Sequence, residues 1–371
     1  MKVDFFTNIF SHYRLPIWRL LINSKNIDFN IFYSQTTIEK IKSIDESAFN
    51  NYEVKKLFPV LKNYTFLNKV FWQKGVIRRV LTSKSSGFIF LGEMTIISTW
   101  ISVIICKIRK KKVFFWGHGV YGNENILKLF FRILFLKLPD VNLLYGNWSK
   151  NLLVNKGFDE NKIQVIYNSI PSTSSKNKKT NLIYKKKHDW FQFQNNDILF
   201  VGRLNKKKGL DLLIEAHLSL LKEINDLRII FIGEGPFKKE LAETNSSNLN
   251  KSIFFLDSIY DEEYLKYCFM NSKLLVSPGN VGLACIHSLS YGTPVCTHDE
   301  MKFQMPEAEA LNSYNSFLFK RNDIESLKQN IKNGINAKNN QKRIKIVEDV
   351  FKNYTPENQL RLIENKLLEI I

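Results

Sequence analysis

The stretch Val276–Thr297, VSPGNVGLACIHSLSYGTPVCT, decides how this chain is read. Leu274–Ser277 is a short apolar run of the kind that forms a buried strand. Pro278-Gly279-Asn280-Val281-Gly282 makes a turn and Leu283–Tyr291 a helix; Gly292 stops the helix and Pro294 opens the next strand. A strand that enters a helix through a glycine turn leaves the first helical N–H groups without partners, so they face any anion placed there. Neither the turn nor the first helical turn carries an acid, which suits a phosphate, because a carboxylate there would repel it. The expected donors are the amides of Val281, Gly282 and Leu283. A lone histidine, His287, follows one turn into the helix.

Working outward, the same alternation of apolar strand and helical pattern fills the chain. In the first half the strand candidates are Val3–Phe6, Asp28–Tyr33, Phe88–Leu91, Val113–Trp116, Val141–Leu144 and Gln164–Ile166. In the second half they are Ile198–Val201, Arg228–Ile232, Ile253–Leu256, Leu274–Ser277 and Pro294–Thr297. Continuous β-branched and aromatic runs separated by helices predict parallel strands covered on both faces. The fold class is therefore α/β, with two doubly wound, Rossmann-like domains. The Ser-, Lys- and Asn-rich segment Ser169–Asp197 separates them, giving domains over 1–175 and 190–352. A terminal helix over about 355–371 can pack back on the first domain. Ligands of such sheets bind beyond the carboxyl ends of the strands, and with two domains the cleft between them is the expected site.

Composition narrows the class. The chain has 371 residues, 44% of them hydrophobic and 24% charged, enough to bury real cores. Cys106, Cys268, Cys285 and Cys296 form no CxxC pair and read as buried thiols of a reducing, cytoplasmic compartment. The formal charge of +19 points either to an anionic partner, a membrane surface above all, or to a compositional bias towards lysine. Nucleic acid is not an expected partner, because the basic residues are scattered and no recognition motif accompanies them. The long apolar run Gly87–Lys112 is interrupted by Glu93 and reads as strand–helix–strand, not as a membrane span.

Two further stretches carry chemistry. In ILFVGRLNKKKGLDLL a strand ends at Val201, Gly202 turns, and Arg203 and Lys208 stand just beyond, where two cations can clamp a diphosphate; a solvated basic loop is the plainer alternative. RIIFIGEGPFKKEL has two of the three glycines of a dinucleotide fingerprint, so hydride transfer is not supported.

Taken together, VGRLNKKKG, FIGEGP, DSIYDEEYLKYCFMNSKLLVSPG and VGLACIHSLSYGTPV resemble the carboxyl-terminal domain of GT-B glycosyltransferases of family GT4, over roughly Ile198–Phe319. The resemblance implies a retaining transferase without a metal or other cofactor, whose co-substrate is a nucleotide-diphosphate sugar. It places Arg203, Lys208, Val281, Gly282 and Leu283 on the donor diphosphate. Gly202, Gly233, Glu234, Gly235, Ser258 and Ile259 then line the nucleoside, and His118, in WGHGVYG, stands near the transferred sugar. Tyr13 and Arg14 are expected on the acceptor side. The resemblance further implies a glycan or lipid-linked acceptor in surface polysaccharide assembly, such as lipopolysaccharide O-antigen or capsule, by an enzyme peripheral to the inner face of the cytoplasmic membrane.

One departure stands out. GT4 enzymes usually carry a Glu-x7-Glu pattern whose positions fall here on Gly279 and His287. With Asn280 beside it, the sugar would meet backbone at Gly279 or another side chain, His287 would serve the ribose, and Glu307 would approach from the following loop. This gap keeps two alternatives open: an inactive GT-B scaffold that binds anionic membranes or nucleic acid, and a nucleotide-sugar epimerase. The helical stretch Asn123–Asp140 reads either as a basic amphipathic surface for anionic lipid or as a core helix with snorkelling lysines.

Overall fold

A computed structural model describes residues 1–34, 44–66, 70–170, 191–337 and 340–371. The chain divides into two compact units, Met1–Pro171 with Asn353–Ile371, and Ser172–Lys352. Most of the segment read as a linker, Ser169–Asp197, falls outside the described residues.

The first unit is built on β1 (Lys2–Phe6), β2 (Asp28–Ser34), β3 (Leu57–Phe66), β4 (Val70–Lys74), β5 (Gly87–Leu91), β6 (Lys112–Gly117), β7 (Val141–Leu144) and β8 (Ile163–Val165). They form one sheet in the order β4-β3-β2-β1-β5-β6-β7-β8, parallel except for the β3–β4 pair. The connecting helices are α1 (Leu15–Ile22), α2 (Asn51–Val54), α3 (Val76–Thr82), α4 (Ile97–Ile108), α5 (Ile126–Leu136) and α6 (Asn147–Val154). Alternation along β1 builds a core on each face of the sheet. Val3 and Phe5 join Trp18 and Trp116 on one side, and Phe6 joins Phe88 and Phe115 on the other.

The second unit carries β9 (Asp197–Val201), β10 (Arg228–Ile232), β11 (Ile253–Leu256), β12 (Leu274–Ser277), β13 (Val295–His298) and β14 (Ser316–Phe319), in the order β11-β10-β9-β12-β13-β14 and all parallel. Its helices are α7 (Leu210–Leu220), α8 (Lys238–Thr244), α9 (Glu262–Met270), α10 (Leu283–Ser290) and α11 (Ile324–Asn336), and α12 (Asn340–Asn353) runs to its end. The last helix, α13 (Pro356–Ile370), belongs to the first unit, with Ile363 and Leu367 in the core that holds Trp18 and Leu21. Its Gln359 ties down the strand-end backbone by donating to the Tyr167 carbonyl.

Three strands escaped the sequence reading. β3 contains Pro59 and alternates exposed side chains, because with β4 it forms an antiparallel ribbon at the sheet edge, where proline is tolerated. β14 is a four-residue strand. Gly87–Lys112 is indeed strand, helix and the start of a strand. Among the described residues no helix is long and apolar enough to cross a membrane.

Candidate active site

In the first unit the site forms where β1, β5 and β6 stop and their loops diverge. A cavity of about 220 Å³ opens there, bordered by Thr7, Arg14, Glu93, His118, Tyr121 and Tyr145. Tyr13 and Arg14, expected near an acceptor, both line it. His118 directly follows β6, with its ring edge-on to Tyr145 at 4.8 Å and stacked on Tyr121 at 5.7 Å. Burial, reinforced by the positive charges of Arg14 and Arg132, pushes its pKa down to about 3, so the imidazole is neutral at physiological pH. Its Nδ1 is buried without a hydrogen-bond partner. Arg14 donates to the Tyr145 hydroxyl at 2.5 Å.

The loop that carries His118 is fixed on both flanks. Arg132 donates to the Gly119 carbonyl at 2.9 Å and pairs with Glu124, which accepts the N–H groups of Tyr121 and Gly122. Gly119 is required at φ 68°, where a Cβ would lie 2.2 Å from Ser149 Oγ.

In the second unit the turns after β9 and β10 are laced together. The Leu204 N–H donates to the Glu234 carbonyl at 2.9 Å, and a Cβ at Gly233 would stand 2.0 Å from the Gly202 oxygen. Gly233 and Gly235 are therefore needed for close backbone approach, and Gly202 for its φ of 149°. The Glu234 side chain is exposed and paired with Lys238, which also reaches Asp257 at the head of the loop bearing the half-buried Ser258 and Ile259.

The turn after β12 packs on the basic loop after β9. The Gly279 N–H donates to the Lys208 carbonyl, and a Cβ at Gly279 would lie 2.5 Å from the Lys207 oxygen and 2.8 Å from Lys208 Cα. No side chain fits at 279, a glutamate included, so the missing first acid has a steric cause. Lys208 Nζ donates to both the carbonyl and the side-chain oxygen of Asn280, each at 2.7 Å. Burial takes its pKa down to about 8, with the charge of Glu307 acting the other way. Arg203 is exposed at the same strand end.

α10 starts after Gly282 with no side-chain cap, as do α7 and α8 of the same unit, whereas α9 and α11 begin with one. The amides of Gly282 and Leu283 thus stand at an uncapped helix start. Val281 corrects the sequence reading: its N–H is already taken by Gln304 Oε1 at 2.8 Å, and its side chain is buried. Gln304, braced by Thr297 and the His298 carbonyl, plugs this amide from the loop after β13. Glu307 arrives on the same loop, buried, its Oε2 3.9 Å from where a Gly282 Cβ would be. The helix start and Lys208 are what make a buried carboxylate tolerable there.

His287 is half-buried, and burial lowers its pKa to about 4, so the imidazole is neutral. Its Nδ1 lies 3.9 Å from Glu262, too far for a hydrogen bond, while Tyr291 donates to the same carboxylate at 3.3 Å. Sequence reasoning missed Glu262 and Gln304. The acid pair Glu262-Glu263 at the start of α9 was a visible signal; nothing local marked Gln304.

Two parallel-sheet units with the candidate side chains at the carboxyl strand ends match the GT-B fold. Among solved structures, HepE of Anabaena in complex with UDP gives a TM-score of 0.71 at 15% identity, covering 100% of both chains. The apo form of the lipopolysaccharide outer core galactosyltransferase WaaB gives 0.68 at 14%, again over 100% of both. Residues 184–348 match the family Glycosyl transferases group 1. Most of the chain is similar to an uncharacterized glycosyltransferase of Methanocaldococcus jannaschii, 24% identical over 364 residues that cover 90% of this chain and 87% of that one. The protein is a glycosyltransferase, and its second unit carries a group 1 glycosyltransferase domain.

Proposed function

We propose that the protein moves a sugar, with retention of anomeric configuration, from a nucleotide-diphosphate sugar to a glycan or lipid-linked acceptor in bacterial surface polysaccharide assembly. The observation that carries the donor reading is Lys208, held by Asn280 beside the uncapped start of α10 at the ends of β9 and β12. Donor phosphates accept from the Gly282 and Leu283 amides, and Lys208 and Arg203 neutralise the charge that builds on the departing diphosphate. These groups take the part a metal would otherwise play. The nucleoside lies along Gly202, Gly233–Gly235, Ser258 and Ile259, with His287 and Glu262 towards the ribose.

Glu307 accepts from hydroxyls of the transferred sugar, in place of the side chain that Gly279 has no room for. His118, neutral and fixed, positions that sugar and polarises a hydroxyl; a group with its pKa near 3 is a poor general base at neutral pH. HepE was solved with UDP, and WaaB is named for lipopolysaccharide outer core; both support the donor and acceptor classes. The net charge of +19 supports work at the inner face of the cytoplasmic membrane.

The test is thermal denaturation of the protein with UDP, GDP, ADP, CMP and dTDP, followed by NMR of the product formed from the matching sugar nucleotide. Stabilisation by one nucleotide and a product anomer like the donor's are expected. An inverted anomer would overturn retention, and no stabilisation together with no transfer would overturn the donor site.

A further inference from the structure

α4 buries Val103 and Cys106 in the core, yet it also carries a second, outward apolar face. Its buried positions include Ser98, Thr99 and Ser102, while Ile97, Ile101, Ile104 and Ile108 point to solvent, Ile108 at 77% exposure. The serines serve the interior, since Ser98 Oγ accepts from the Gln73 N–H and Ser102 donates to the Ser98 carbonyl. The four isoleucines follow a 4-3-4 spacing and lie on one stripe. α5 has the same character. It buries Phe135 and Leu136 and exposes Ile126, Leu127, Phe130, Phe131 and Leu134. The two helices are neighbours, because Trp100 of α4 packs on Phe135 of α5 at 4.9 Å.

Charge along the two helices themselves is basic, with the exposed Glu93 before α4 and the partly exposed Asp140 after α5, 4.0 Å from Lys112, marking its acidic limits. Between Met94 and Pro139 the single acid is Glu124, whose side chain is turned inward with only 2% exposed. Lys107 and Lys110 stand exposed at the end of α4, with Lys111 following, and Lys128 is exposed on α5 among its apolar side chains. Exposed apolar area on this scale marks an interaction surface. Pairing with a second copy would set lysines against lysines, which argues against self-association. A nucleic acid would leave the isoleucines and phenylalanines wet.

We infer that α4 and α5 together form a membrane-docking face that inserts its apolar side chains among the acyl chains of an anionic lipid surface, with the lysines on the headgroups. This gives the peripheral-membrane reading above a definite surface, and it stands or falls apart from the donor chemistry.

The test is co-sedimentation of the full chain with vesicles of phosphatidylcholine, with and without phosphatidylglycerol. Binding to the anionic vesicles, weakened by salt, is expected. Neutralising Lys107, Lys110 and Lys111 to glutamine should weaken it roughly fivefold per residue. Ile104→Ser with Ile108→Ser, and separately Phe130→Ser with Phe131→Ser, should each weaken it by roughly tenfold or more. Nucleotide stabilisation should persist in every variant, showing that the fold and the donor site are intact. Wild-type-like binding by the α4 pair would overturn the two-helix face, and absence of vesicle binding by the unmodified protein would overturn it outright. So would variants that convert a dimer to a monomer while leaving vesicle binding unchanged, since the face would then belong to a second copy.

Discussion

Lys208→Met removes the half-buried cation of the proposed donor clamp and leaves a side chain of similar length. The ammonium is held by two 2.7 Å bonds to Asn280, and its pKa lies near 8, so at pH 7 about nine in ten molecules carry the charge. A charged hydrogen bond to phosphate contributes about 1.5–3 kcal/mol, so its loss raises the nucleotide Kd roughly 10- to 100-fold. At a ligand concentration a hundredfold above the wild-type Kd, stabilisation then falls from about 2.7 to about 0.4–1.4 kcal/mol. In a unit of this size that is a Tm shift of roughly 5–10 °C reduced to half or less. Thermal denaturation with and without the nucleotide reads it directly.

The pH dependence has a definite sign. The folded pKa lies below the ordinary lysine value of 10.5, so between about 8 and 10.5 the unfolded chain holds a proton that the folded chain has lost. The contribution of this group to the stability of the nucleotide-free protein therefore rises with pH across that window. Nucleotide binding moves the opposite way, because the neutral amine no longer meets the phosphate. The difference between wild type and Lys208→Met isolates both trends. A variant that keeps the full nucleotide shift, or a wild type whose binding advantage is flat from about pH 7 to 9, would refute the clamp.

Two further predictions follow from the packing. His118→Asn should lower the transfer rate roughly 10²- to 10³-fold, yet His118 should add no inflection to the wild-type pH–rate profile between about pH 5 and 8; an inflection near the ordinary histidine value that disappears in the variant would show a solvated, titrating imidazole. Gly279→Glu, which restores the residue usual in the family, should destabilise the second unit by about 1–3 kcal/mol and impair nucleotide stabilisation, because its Cβ meets backbone at 2.5 Å; a stable variant with raised activity would show that the turn yields.

The sequence by itself determined the α/β class, the paired parallel sheets and the position of each glycine turn. These are local properties: β-branched runs, helical spacing and glycine follow from short-range sterics and burial. It placed Lys208, Gly282 and His118 at strand ends for the same reason. It missed β3, β4 and β14, whose short or edge-exposed patterns are stabilised by neighbours distant in the chain. Tertiary structure alone decided the rest of the site. That Gly279 has no room for a side chain depends on the Lys207–Lys208 backbone some seventy residues earlier. Val281 loses its free amide to Gln304, Glu307 reaches the start of α10, and Glu262 stands by His287 only because separate loops converge on one strand edge. The outward apolar face of α4 shows the same limit. In the sequence α4 reads only as the helix of a strand–helix–strand unit, and only the packing shows Ser98, Ser102, Val103 and Cys106 turned inward and four isoleucines outward, because a helix pattern fixes which residues share a face but not which face the sheet covers.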